Sequence, residues 1–233
     1  MIVEYIIPES WADITIRQYT KFWQSIRAYE GSNDFIDKVI DRAALHFCLI
    51  DSETYKRLPI DAHNAIHQQL VDMITQKNGL ELTKEFELEG VKYGFIPNLE
   101  TMSYGEYLDL SSYSKSTWEN LAIIMSILYR PITKTHWSGR YDIEPYKGTD
   151  DDRIRLFSER LGMDIVFGAT GFFLNLQGQL LNDILTSLKE ETKRMETSGH
   201  LKQDSQENGD YIKHSLHLLE EMHSKYQEQQ KWS

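Results

Sequence analysis

Cysteine, basic residues and long apolar runs are all scarce in this chain, and each scarcity excludes something. Cys48 is the one cysteine, so no intrachain disulfide forms, and a Cys/His zinc framework lacks ligands. The longest apolar stretch, Ile165 to Leu174, has ten residues, where a membrane-spanning helix needs about 20. It also runs into Asn175, Gln177 and Gln179. The segment from Met1 to Pro8 carries Glu4 and no basic residue, which does not fit a secretory signal. Lys and Arg total 25 against 36 Asp and Glu, a formal net charge of −11. Binding nucleic acid of any sequence needs a basic face that displaces counterions, and docking on an anionic membrane needs one too. The expectation is a soluble, acidic, non-secreted protein made in the cytoplasm, with no membrane contact.

What is present is a core. Of 233 residues, 40% are hydrophobic and 12% aromatic, too many for a disordered chain. At about 150 residues per domain the length allows one or two domains. Residues 2–7 form a β-rich run closed by Pro8, which reads as a strand. Thr15 and Gln18 have the capping-box spacing, and Ile14 and Tyr19 the spacing of a hydrophobic staple, so a helix is expected from Ile16 to Tyr29, ended by Gly31. A second helix presents Phe35, Ile36, Val39, Ile40, Ala43, Ala44 and Phe47 on one face. Short helices follow at Ser52–Arg57 and Ile60–Gln76, split by Pro59.

Strand signals return at 85–88 and 91–96, flanking the Glu89-Gly90 turn. Ser103 and Glu106 then repeat the capping box, and Met102 and Tyr107 the staple. Strand, proline, capping box and helix thus recur 88 residues apart. Chance recurrence and a duplicated strand–helix unit, spanning 1–79 and 85–131, both remain open. A helix is expected over Trp118–Tyr129, stopped by Pro131. Ile132 and Tyr141-Asp142-Ile143 read as short strand pieces, and Asp150 to Asp152 as an acidic helix start. A long helix is expected from Asp164 to Glu196, with Gly168 and Gly171 allowing close approach by a neighbour.

Residues 197–210 are rich in Ser, Gly, Gln and Asn and read as a linker. Beyond them Ile212, Leu216, Leu219, Met222 and Tyr226 make one narrow apolar stripe on a polar helix spanning 211–233. Such a stripe suits docking on another chain or back onto this one. The reading is therefore a mainly helical α+β fold. It comprises a helical core domain over 1–196 with a small antiparallel or mixed sheet from residues 2–7, 85–88 and 91–96, and a C-terminal docking helix.

No catalytic set is legible. His63 and His67 are spaced like two zinc ligands on one helix face. However, the metalloprotease glutamate is missing between them, and solvated histidines explain them better. His214, His217 and His223 read as surface residues of the terminal helix, and His46 with Cys48 as core packing. Asp150 to Asp152 lack the alternating spacing of a calcium loop. No glycine-rich phosphate loop or nucleophile elbow is present. Trp11, Phe22, Trp23, Trp118 and Trp137 could line a ligand cleft, though at helical spacing core or interface is commoner. No metal, nucleotide or other cofactor is expected.

Several phrases taken together carry a resemblance: Pro8 with Asp13-Ile14-Thr15 and Gln18-Tyr19; Gly94-Phe95-Ile96-Pro97-Asn98-Leu99; Gly105-Glu106-Tyr107-Leu108-Asp109-Leu110; Leu128-Tyr129-Arg130-Pro131; and Gly171-Phe172-Phe173. Over residues 1 to about 190 the chain resembles proteins of the structural gene blocks of tailed bacteriophages, including crAss-like phages of gut Bacteroidetes. The resemblance implies a non-enzymatic virion or assembly protein and transfers no functional residue. One role it suggests is a ring protein of the neck or tail barrel, a head–tail connector component. Copies of the chain would close on each other, meet portal or tail proteins, and let DNA pass during ejection without tight binding. A negative lumen suits that passage. The other role is a tail assembly chaperone that binds the tape-measure protein. An uncharacterised cytoplasmic enzyme is the remaining class.

Overall fold

The computed structural model describes residues 6–75, 81–98 and 102–172. The chain divides into two compact units, Met1–Ala169 and Thr170–Ser233, and the elements below belong to the first. The expected extension helix, with Ile212, Leu216, Leu219, Met222 and Tyr226, lies outside the described residues. So do the linker and most of the 164–196 helix.

Local signals set the first helices. Ser10 caps a 3₁₀ turn at Trp11–Asp13. Helix α1, Ile16–Ile26, starts on the Thr15–Gln18 capping box and tightens into a 3₁₀ turn at Arg27–Tyr29. Its buried face is Ile16, Tyr19, Phe22 and Ile26. Helix α2, Phe35–Phe47, buries Ile40, Ala43, Ala44 and Phe47. Ile36, expected on that face, is exposed instead, because the first turn lies beyond the packed part of the helix. Asp51 accepts hydrogen bonds from Glu53 N and Thr54 N to start α3, Ser52–Lys56. Pro59 then separates α3 from α4, Ile60–Thr75.

The sheet has strand order β1-β2-β3-β4 and is antiparallel throughout. β1 (Glu85–Leu88) and β2 (Val91–Phe95) form the expected hairpin. Its turn uses positive φ at both Glu89 and Gly90, as a two-residue hairpin of the right twist requires. The other two strands are β3 (Tyr129–Thr135) and β4 (Tyr141–Ile143). Tyr141 lies across Gly94, where any Cβ would overlap its ring, and its hydroxyl donates to Lys84 O and Phe95 O. The sheet therefore does not use the N-terminal run: Ile6 and Ile7 lie outside any strand, and residues 2–5 are not described.

Two further boundaries differ from expectation. Helix α5 spans Tyr104–Tyr113, and α6 begins only at Leu121, ending at Leu128. Trp118 sits in the turn before α6. Tyr129 caps α6 with extended φ and ψ and opens β3 at once. Pro131 is not a helix stop but a strand residue facing Tyr93 in the register. It lies close to the irregular pairing between Ile132 and Lys134, the kind of place where a strand tolerates proline.

Helix α6 is the centre of the core, with Leu121, Ile124, Met125, Ile127 and Leu128 all buried. Helix α7, Asp151–Arg160, packs on it and buries Phe157. A helix from 163 follows, with Met163, Val166 and Ala169 buried. It is tied to the start of α1 by a bridge between Thr15 and Gly162, with Ile16 N donating to Leu161 O and Met163 N to Ile14 O. A Cβ at Gly162 would lie 2.7 Å from the Ala12 carbonyl oxygen, so the crossing needs glycine.

Candidate functional site

Helix α5 buries a carboxylate beside an aliphatic side chain, Glu106 with Leu110. Its start is ordinary: Glu106 N donates to Ser103 Oγ at 3.3 Å and Ser103 N to Glu106 Oε2 at 2.6 Å. The other carboxylate oxygen of Glu106 meets Arg130 Nη2 at 2.5 Å, and both side chains are only 6% exposed. Arg130 is delivered by β3, one residue after the switch from α6. Its guanidinium lies 5.6 Å from the ring centre of Tyr146, a cation–π distance. The Tyr146 hydroxyl donates in turn to Asp109 Oδ2, one turn along α5 from Glu106. The sequence reading missed this cluster, because Glu106 had a sufficient role as a capping residue and Arg130 lies 24 residues away.

The electrostatics make the cluster a clamp. Desolvation works to raise the Glu106 carboxyl, but hydrogen bonds from Ser103 and the Arg130 charge outweigh it and hold the group below the usual glutamate range. Burial, then Asp109, pushes the Tyr146 hydroxyl well up. Neither group is poised to exchange protons near neutral pH, which general acid–base work requires. Arg130 Nε and Nη1 are buried without a hydrogen-bond partner, so removal of Glu106 would strand the cation.

With the carboxylates turned inward, the outward face of α5 is left without charge. Its exposed positions are Tyr104, Gly105, Tyr107, Leu108, Ser111 and Ser112. Tyr104 is 75%, Tyr107 60% and Leu108 47% exposed, at i, i+3 and i+4. The expected Met102–Tyr107 staple therefore fails on the tyrosine side. At 3.6 residues per turn the residue after Glu106 points about 100° away from it, so drawing Glu106 to Arg130 turns Tyr107 to solvent. Of these residues, tyrosine is the type enriched at protein–protein interfaces.

The other sequence candidates fall elsewhere. His63 stacks on His67 at 6.1 Å and lies tilted against Tyr55 at 4.6 Å. Among the described residues no three His, Cys, Asp or Glu side chains gather as a metal site. Cys48 is buried, and burial pushes its thiol up to about 11, the opposite of a nucleophile's environment. Asp150 caps α7 through Arg153 N at 3.0 Å, and Asp152 pairs with Arg155. Trp11 packs edge-on to Phe167 at 5.0 Å and to Phe47 at 5.9 Å. Phe22 meets Phe47 at 4.7 Å, and Trp23 meets Trp118 at 5.6 Å. Phe22 is buried in the core and the three tryptophans are half-buried against it and its neighbours, whereas Trp137 is fully exposed. His214, His217 and His223 lie outside the described residues. No helix among the described residues is long and apolar enough to cross a membrane. Against protein-family models, curated proteins and solved structures, the chain has no match in any of the three comparisons.

Proposed function

We propose that this chain is a non-enzymatic structural component of a tailed phage particle. It would be a ring protein of the neck or tail barrel that closes on copies of itself around the DNA channel and meets portal or tail proteins above and below. The observation that carries the reading is the outward face of α5: the carboxylates of the helix face Arg130 and Tyr146, and Tyr104, Tyr107 and Leu108 are exposed. Burying one large apolar side chain contributes about 1.5–3 kcal/mol, so this face gains most by meeting another protein. The net charge of −11 suits a lumen through which DNA slides without sticking. In this reading the stripe of Ile212, Leu216, Leu219, Met222 and Tyr226 is a second contact. Quantitative mass spectrometry of purified particles tests the role. The expected result is a fixed whole-number copy count per particle. Presence in infected-cell lysate with absence from particles contradicts the ring role and favours the assembly chaperone.

A further inference from the structure

The β3–β4 hairpin projects from the sheet as an arm. β2 pairs with β3 only through Tyr129–Pro131, so from Ile132 onward β3 has β4 as its partner. Tyr141 anchors the base through Lys84 O and Phe95 O. The turn is fixed by His136 N donating to Arg140 O at 2.7 Å and Gly139 N to His136 O at 3.0 Å, and by the pair of His136 Nε2 with Asp142 Oδ2 at 2.9 Å. At the tip Trp137 is fully exposed. Lys134 and Arg140 flank it, both exposed, and among the described residues neither is in an ion pair. The acids near them are taken, Asp142 by His136 and Glu144 by Arg153. The arm thus presents an indole and two cations in a chain whose net charge is −11. The outward face of α5 lies toward the other end of β3. Arg130, which holds α5 through Glu106, is the second residue of that strand. At about 3.3 Å per residue Thr135 is about 17 Å further on, and Trp137 lies beyond it. Fully exposed, Trp137 touches no α5 residue of its own copy.

We propose that the Trp137 arm of one copy docks on the outward face of α5 of a second copy. That face offers Tyr104, Tyr107 and Leu108, with no charged residue among its exposed positions. Nothing there repels Lys134 or Arg140, and tyrosine rings accept both an aromatic neighbour and a cation. At the border of the face Asp109 is half-exposed and pairs with no cation among the described residues, so it supplies the charge opposite to Arg140. A tryptophan buries about 150–250 Å², and Trp and Arg are among the types that carry most of the binding energy at interfaces. Two copies that repel at a net −11 each need a local attraction that sets which surfaces meet. Arm and face are different surfaces toward opposite ends of one strand, so each contact leaves an arm free at one end and a face free at the other. That is a head-to-tail contact, the kind that closes rings. The inference rests on the proposed role of the α5 face and adds what covers it.

Sedimentation equilibrium of the full chain tests it by complementation. An arm variant carries Trp137→Ser with Arg140→Ser, and a face variant carries Tyr107→Ser with Leu108→Ser. Each should weaken self-association by at least about tenfold. All four positions are exposed, so both variants should melt with the parent. Mixed in equal amounts, the two should form a dimer and nothing larger, because each brings the surface that the other lacks. If the arm variant associates like the parent, or the mixture stays monomeric, the arm is not the partner, and the inference is overturned while the α5 reading stands. A face variant that associates like the parent, or a parent that is monomeric at every concentration, overturns both. Retention of a single-stranded oligonucleotide by the parent, lost in the arm variant, would make nucleic acid the partner of Trp137 and overturn the docking.

Discussion

The two capping boxes use the same backbone chemistry and end in opposite orientations. At α1, Gln18 occupies the third helical position, half-exposed, and the following Tyr19 is buried against Trp11, Trp118 and Phe167. At α5, Glu106 occupies that position and is buried, and the following Tyr107 is exposed. Capping needs only an acceptor at that position, and Gln and Glu both supply one. What separates the helices is the formal charge on Glu106, which draws the position toward Arg130. One helix puts its aromatic residue into the core; the other leaves it exposed.

Removing Glu106 breaks the contrast hardest. Glu106→Ala strands Arg130 in the interior and should destabilise by about 3–5 kcal/mol, whereas Gln18→Ala should cost about 1 kcal/mol or less. Urea unfolding of both variants makes the comparison. The double variant Glu106→Leu with Arg130→Met should recover most of that loss, since a buried pair is often replaceable by apolar residues of similar volume. Additive losses in the double variant would mean that the two side chains act independently.

Acid sharpens the same point. Glu106→Gln leaves a capping residue like that of α1 but removes the charge. The folded carboxyl titrates below the ordinary glutamate value of 4.5. The pair's stabilisation is therefore complete above that value and is lost as pH falls through the lower folded one. The parent chain should be more stable than Glu106→Gln at neutral pH, and the gap should shrink below pH 4.5. A gap that is constant in chemical denaturation from neutral pH to pH 3 would show that Glu106 acts without its charge. Smaller still is the loss of either cap: Thr15→Ala and Ser103→Ala should each cost about 1 kcal/mol. The Ser103 change should be the larger, because Ser103 also holds the Glu106 carboxylate.

Which parts were legible in the sequence follows from the range of the forces. Both caps, the Asp150 helix start, the Glu89-Gly90 hairpin and the bounds of α2 to α4 depend on residues within a turn or two of each other. The antiparallel sheet was only half visible. β3 begins inside a segment that reads as helix up to Pro131, and its strand character comes from pairing with β2, 36 residues earlier at Tyr93–Phe95. The N-terminal run has strand composition, yet Ile6 and Ile7 find no place in the sheet. The site was the least legible part. Tyr104, Tyr107 and Leu108 form an amphipathic stripe with the spacing of a core face, and only the distant Arg130 decides that it points outward.

The central claim is that this stripe is where the chain meets other chains. Its most direct test is sedimentation equilibrium of the full chain beside the variant Tyr107→Ser with Leu108→Ser. Surface changes of this kind shift stability by about 0.5 kcal/mol or less, so both proteins should melt together. The account predicts a closed oligomer for the parent and a monomer for the variant. The same oligomer in both, or a monomeric parent, would contradict it.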